Sequence, residues 1–270
     1  MNDIFIVLLF SIIGGVFSLI GGFLLIAGRK HTKKVALYAT PFAAGALLSA
    51  AFIDLLPEAN HDGSIETALT FTLIGILSFF LLERFLRWFH HHHSEEDKSK
   101  DPRVPLIVIG DTVHNFIDGI AIAAGFLVSI PTGIAVTIAV AAHEIPQELG
   151  DFGLLLNKGV AKRKVVIINI ISALATTVSA LIFFTLGQNF ELRLDIILGI
   201  VAGFFIYIAV SDIIPSIHQN ESKVIAGPQT LLLIMGVLVV SIVSTVLHDK
   251  IESSIEQDDH QDCLCLNIDN

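Results

Sequence analysis

From Ile4 to Ala27 the chain runs 24 residues without a charged side chain. At about 1.5 Å of rise per residue that is enough helix to cross the roughly 30 Å hydrocarbon core of a bilayer. Seven more apolar runs follow, at about 35–56, 65–89, 104–128, 132–156, 164–187, 194–216 and 229–248. In hydrocarbon every backbone polar group must find its partner within the protein, which leaves helices and closed barrels as the available folds. Period-two alternation is absent, and that sets a barrel aside. Hydrophobic residues make up 53% of the 270 positions and charged residues 16%, too few charges to wet the surface of a soluble domain. Asp3 stands where a secretory signal would carry a basic region, so the first run reads as a spanning helix.

The expected fold is therefore an all-α integral membrane protein with eight transmembrane helices. Residues 1–250 form one transmembrane domain, and 251–270 an acidic, outward-facing tail expected to be disordered. A formal net charge of −10 argues against nucleic acid as a partner. Cys263 and Cys265, the only cysteines, make no disulfide framework.

Charge sorting gives the orientation. Fourteen of the 16 Lys and Arg residues fall in or beside the loops joining spans 1 and 2, 3 and 4, 5 and 6, and 7 and 8. Only Arg193 and Lys250 lie on the other side. Basic loops stay cytoplasmic, which predicts a multi-pass cell-membrane protein with both termini outside.

Two short signatures point to internal symmetry. Span 2 ends Asp54-Leu55-Leu56-Pro57 and span 7 ends Asp212-Ile213-Ile214-Pro215, although the two spans run in opposite directions. This is the mark of an inverted repeat in which spans 1–3 are mirrored by spans 6–8, with spans 4 and 5 as a central pair, a 3+2+3 architecture. The central pair repeats the pattern on a smaller scale. Each span carries a His followed by a polar residue, with Asp118 four residues after His114 and Gln147 four after His143.

Spans 4 and 5 also hold the residues hardest to explain structurally. Span 4 contains Asp111, His114, Asn115 and Asp118, and span 5 contains His143, Glu144, Gln147, Glu148 and Asp151. A charged group at mid-bilayer costs at least about 2.5–3.5 kcal/mol, so such a cluster marks an ion path or a binding site by default. Spacings of three and four put each set on one helix face. Both histidines lie roughly 13–16 Å from a helix end, near the midplane. Facing spans would present His114, Asp118, His143 and Gln147 as a mixed nitrogen and oxygen set that suits zinc or iron(II). Asn115, Glu144 and Glu148 flank that set and could hold a second ion or support the first. Asp111 and Asp151 extend the polar path or fix helix ends. Pro146 removes a backbone donor and loosens the helix beside the ligands.

Other functions are weighed against these residues. An intramembrane zinc-dependent hydrolase of the HExxH type is the main alternative, but His143-Glu144-Ile145-Pro146-Gln147 lacks the second His. An organic-substrate carrier would need an aromatic or apolar pocket beside the charges. The chain is expected not to be an enzyme and to need no catalytic cofactor.

The segments His114-Asn115-Phe116-Ile117-Asp118-Gly119 and 143–152, together with span 2 over 42–59, resemble the ZIP family of divalent metal transporters, in particular its branch with an HExPHExGDF pattern. The resemblance implies uptake of zinc, or of iron, manganese or cadmium, as transported substrate. It implies spans 1, 4, 5 and 6 moving as an elevator against spans 2, 3, 7 and 8, commonly in a homodimer surrounded by lipid. It places the metal ligands at His114, Asn115, Asp118, His143, Glu144 and Gln147. Gln147 stands where relatives carry His or Glu, Asp54 where many carry His, and span 6 has no acidic residue. His90, His91, His92 and His93, in the cytoplasmic 90–103 loop, are candidates for loose metal binding at the exit. Asp54, Asp111, Glu148 and Asp151 are candidates for the rest of the path.

Overall fold

The computed structural model describes residues 3–27, 29–61, 63–91, 103–218 and 223–266. Among these every element is helical, and the expected helix order is found. Span 1 comprises Asp3–Gly15, a 3-10 turn at Val16–Leu19, and Ile20–Ala27. Span 2 comprises Arg29–Ser49, a π-helical turn at Ala50–Leu55, and Leu56–His61. Spans 3 to 6 are Ile65–His91, Arg103–Val128, Ile130–Asn157 and Lys162–Asn189. Span 7 comprises Leu194–Tyr207, a second π turn at Ile208–Ile213, and Ile214–His218, and span 8 begins the helix Lys223–Leu266.

Seven of these helices are long and apolar enough to cross a membrane by length and composition alone. Span 5, at 28 residues, has the length, but His143, Glu144, Gln147, Glu148 and Asp151 lower its hydropathy. Leu73, Leu81, Ile171, Val178 and Ile242 are exposed on the bundle exterior, the apolar coat a lipid-facing surface requires. The tail expected to be disordered instead continues span 8 as helix to Leu266, because 249–266 contains neither Gly nor Pro to stop it.

Inside a bilayer burying apolar surface gives helices little drive to associate, so close approach by small residues does the packing. Span 2 buries Ala43, Ala44, Ala46, Ala50 and Ala51 in this way, and span 4 buries Ala121, Ala123 and Ala124. The closest approaches follow the repeat. A Cβ on Gly45 of span 2 would collide with the Leu233 carbonyl of span 8, and one on Gly203 of span 7 with the Thr72 carbonyl of span 3. One on Gly75 of span 3 would strike the Ile200 carbonyl, and one on Gly236 of span 8 the Phe42 carbonyl. These four contacts form two mirrored pairs when residue n of span 2 is matched to n + 158 in span 7 and residue n of span 3 to n + 161 in span 8. The same shift superimposes the π turns, Ala50–Leu55 on Ile208–Ile213. The inverted repeat thus rests on matched backbone contacts as well as on the Asp and Pro signatures.

Spans 2, 3, 7 and 8 form one group, with span 3 packed on span 7 and span 2 on span 8. Spans 1, 4, 5 and 6 form the other, in which span 4 lies on span 6 and span 1 on spans 5 and 6. Ser129 caps span 5 by accepting from the Thr132 amide, with Pro131 in the first turn. That cap sets where the helix starts, and so the depth at which His143 arrives.

Candidate metal centre

Span 5 delivers His143 and Glu144 to the contact with span 4, and span 4 presents His114 and Asp118 one turn apart. One ligand atom from each of these four lies within 4.8 Å of the others. His143 Nε2 is 3.2 Å from Asp118 Oδ2 and 3.9 Å from Glu144 Oε1. His114 Nε2 is 3.4 Å from Glu144 Oε1 and 3.7 Å from Asp118 Oδ2. Zinc bonds of about 2.0–2.1 Å in a tetrahedron imply ligand-to-ligand edges of about 3.3 Å, so the quartet is nearly collapsed to the size of a zinc ion.

The ring orientations are held. His143 Nδ1 lies 3.0 Å from the Ala139 carbonyl, which can only accept, so Nδ1 carries the proton and Nε2 faces the quartet as a coordinating nitrogen. Phe79 packs edge-on against His114 with ring centres 5.9 Å apart, and Phe205 against His143 at 6.2 Å. Asp118 Oδ2 and both Glu144 oxygens are buried and receive no hydrogen bond. Buried carboxylate oxygens without donors are costly, and a cation among them is the natural remedy.

The remaining sequence candidates divide. Asn115 is fully buried but faces span 6: its amide donates to Asp111 Oδ1 at 3.0 Å and its Oδ1 accepts from the Thr176 hydroxyl at 2.9 Å. Gln147, Asp111 and Asp151 line a cavity of about 710 Å³ that reaches His114 and His143. Glu148 is buried beside that cavity with neither oxygen hydrogen-bonded. Asp54 lies away from it, in span 2, and accepts from the Ser244 hydroxyl of span 8. The side chains of His90 and His91, and all of His92 and His93, lie outside the described residues, as does the side chain of Asp212.

The cavity runs from the midplane to the basic-loop end of the bundle. Its deepest walls are His114, His143, Phe79 and Ile208, each near the middle of its span. The others, among them Thr40, Glu83, Ile107, Leu154 and Ser216, lie toward the ends joined by the basic loops. On the opposite side of the quartet, Leu47, Leu55, Ile122, Val136, Val140 and Leu198 are packed without exposure. The arrangement is a metal-sized ligand set at the blind end of a one-sided cavity.

The family model described as "ZIP Zinc transporter" matches residues 2–105 and 90–244. This chain belongs to the ZIP family. Over 118 residues, 44% of its length, it is 36% identical to zinc transporter ZIP10 of Danio rerio. Over 125 residues, 46% of its length, it is 36% identical to the metal cation symporter ZIP8 of Rattus norvegicus. Zinc transporter ZIP4 of Homo sapiens is 40% identical over 111 residues, 41% of the chain. The ZIP chain spans only 14%, 27% and 17% of the lengths of these three relatives. Membership agrees with the multi-pass helical architecture.

Sequence reasoning put Gln147 in the inner set and Glu144 on its flank, whereas the structure gathers Glu144 with the histidines and leaves Gln147 one turn below. The rule of three and four selects a face, but a Glu next to His143 is long enough to reach around the helix. His248 and Glu58, described below, were not read as a pair. The signal was available in their positions, both at the end of the bundle opposite the basic loops.

Proposed function

We propose that this protein carries divalent metal cations, zinc foremost, across the membrane, with His114, Asp118, His143 and Glu144 as its central ligands and Gln147 as a neighbour on the exit side. The observation that carries this reading is the buried, under-bonded quartet at the blind end of a cavity open on one side. Permanent structural zinc would be enclosed, and a hydrolase would need room for its substrate on the ligand set. A ligand set with access from alternate sides suits passage of an ion. With the basic loops in the cytoplasm, this is the inward-open state, both termini lie outside, and net movement is uptake.

The repeat supports an elevator of spans 1, 4, 5 and 6 against spans 2, 3, 7 and 8. The cavity walls Thr40, Phe79, Ile208 and Ile213 have as mirror partners Leu198, Val240, Ala50 and Leu55. The first three of these partners and Leu55 are all fully buried. The buried outer core is thus the closed form of the same cavity, and sliding one group past the other would exchange the two. Asn115 braces span 4 in this reading, and Asp111, Glu148 and Asp151 form the acidic route out. A homodimer in the cell membrane, with iron, manganese or cadmium as further substrates, belongs to the same proposal. The test is zinc flux into proteoliposomes, followed with an enclosed zinc dye. Flux that survives alanine at both His114 and His143 overturns the site, and lipid or peptide hydrolysis without flux favours the hydrolase.

A further inference from the structure

We propose that His248, Glu58 and Asp54 form a second binding site for a divalent cation of the zinc class, in the half of the bundle opposite the open cavity. His248 of span 8 points Nε2 at Glu58 Oε1 of span 2, 3.2 Å away. Its Nδ1 lies 3.1 Å from the Ser244 carbonyl four residues earlier. A carbonyl accepts and never donates, so Nδ1 holds the proton and Nε2 is left to coordinate. This is the device already seen at His143, where the carbonyl four residues back fixes Nδ1 and turns Nε2 to the ligand set.

Asp54 supplies the third donor. It sits one turn before Glu58 on span 2, is 2% exposed, and accepts from the Ser244 hydroxyl through Oδ1 only. Its Oδ2 is buried without a partner. Glu58 and His248 are 22% and 35% exposed, so an ion from water would meet them first and Asp54 beneath. One imidazole and two carboxylates make the nitrogen and oxygen set that borderline divalent ions take.

The repeat puts the site on the route of the ion, and only this part of the inference rests on the transport reading. Glu58 is the mirror of Ser216, and Ser244 is the mirror of Glu83. Ser216 and Glu83 both line the open cavity. The outer site therefore occupies on the closed side the place those walls occupy on the open one. The Ser129 hydroxyl that caps span 5 lies 3.5 Å from His248 Nε2, so the opposing helix group borders the site as well.

The test is cobalt(II) binding to the full purified chain, read from its visible absorption, with zinc as competitor. The background carries His114→Ala, His143→Ala and serine at His90 to His93, which removes the other imidazole clusters. The site predicts one cobalt retained per chain, displaced by zinc, and lost when Glu58→Gln and His248→Gln are added. Each single Gln change keeps a hydrogen-bonding side chain and should weaken cobalt at least tenfold, with the thermal unfolding midpoint checked in parallel. A background that binds no cobalt, or cobalt binding unchanged by both Gln substitutions in folded protein, overturns the proposal. No flux enters the readout, so a failed transport reading and a failed outer site are told apart.

Discussion

His114 and His143 meet Nε2 to Nε2 at 3.2 Å across the contact between spans 4 and 5. With His143 Nδ1 protonated toward Ala139, the two Nε2 atoms oppose lone pairs unless a proton or a cation lies between them. The pair is thus poised to share an ion, and losing one ring disables the other. Replacing either His with Ala should reduce zinc flux in proteoliposomes at least about tenfold, the lower bound for loss of even an indirect metal contact. The double variant should be little worse than either single one. Additive losses would mean the rings act separately.

Gln147 lines the exit one turn below His143. A Gln147→His variant adds an imidazole there and should tighten zinc binding about tenfold, equivalent to about 1.4 kcal/mol. Tighter holding slows release, so maximal flux should fall while the half-saturating concentration drops. Calorimetry in detergent and initial uptake rates measure the two sides. Unchanged affinity would remove Gln147 from the neighbourhood of the ion.

The mirrored glycines have no room for a methyl group. Gly45→Ala and Gly75→Ala should each destabilise the protein by about 1–3 kcal/mol, since backbone carbonyls must move aside. Gly227, with nothing near its added Cβ, is the control. Gly227→Ala should be neutral or slightly stabilising, because Ala favours helix over Gly by up to about 1 kcal/mol. Thermal unfolding in detergent followed by circular dichroism reads all three.

Exchange of the two cavities has a chemical signature. Val136 and Val240 are fully buried in the closed half. With Cys263 and Cys265 changed to Ser, Val136→Cys and Val240→Cys should react with an impermeant maleimide added outside, only during metal cycling. Labelling at the same low rate with and without zinc would argue against an opening on that side.

Much of this was legible in the residues. The eight helices follow from charge-free runs, because hydrocarbon leaves the backbone no other way to satisfy itself. Asp54-Leu55-Leu56-Pro57 and its partner at Asp212 announced the inverted repeat. The glycine contacts and the π turns were not legible, since a glycine does not name the carbonyl it meets and a π turn has no composition of its own. The C-terminal helix was missed because acidity was read as disorder, though Ile, Glu and Gln without Gly or Pro carry helix well. At the centre, periodicity found the correct face but not the reach of Glu144. His248 was overlooked because a single His near a helix end carries no pattern until span 2 is laid beside it.

The paired π turns carry one further consequence. A π turn takes up more residues than the α turn it replaces, and a shift of one residue rotates all that follows by about 100°. Removing a residue such as Phe52 would let Ala50–Leu55 tighten to ordinary helix and swing Glu58 away from span 8. The matching stretch Ile208–Ile213 would keep its length, and the halves would fall out of step beyond that point. Side chains here can vary widely while the residue count cannot, so insertions and deletions are tolerated in these two segments only if they occur in both.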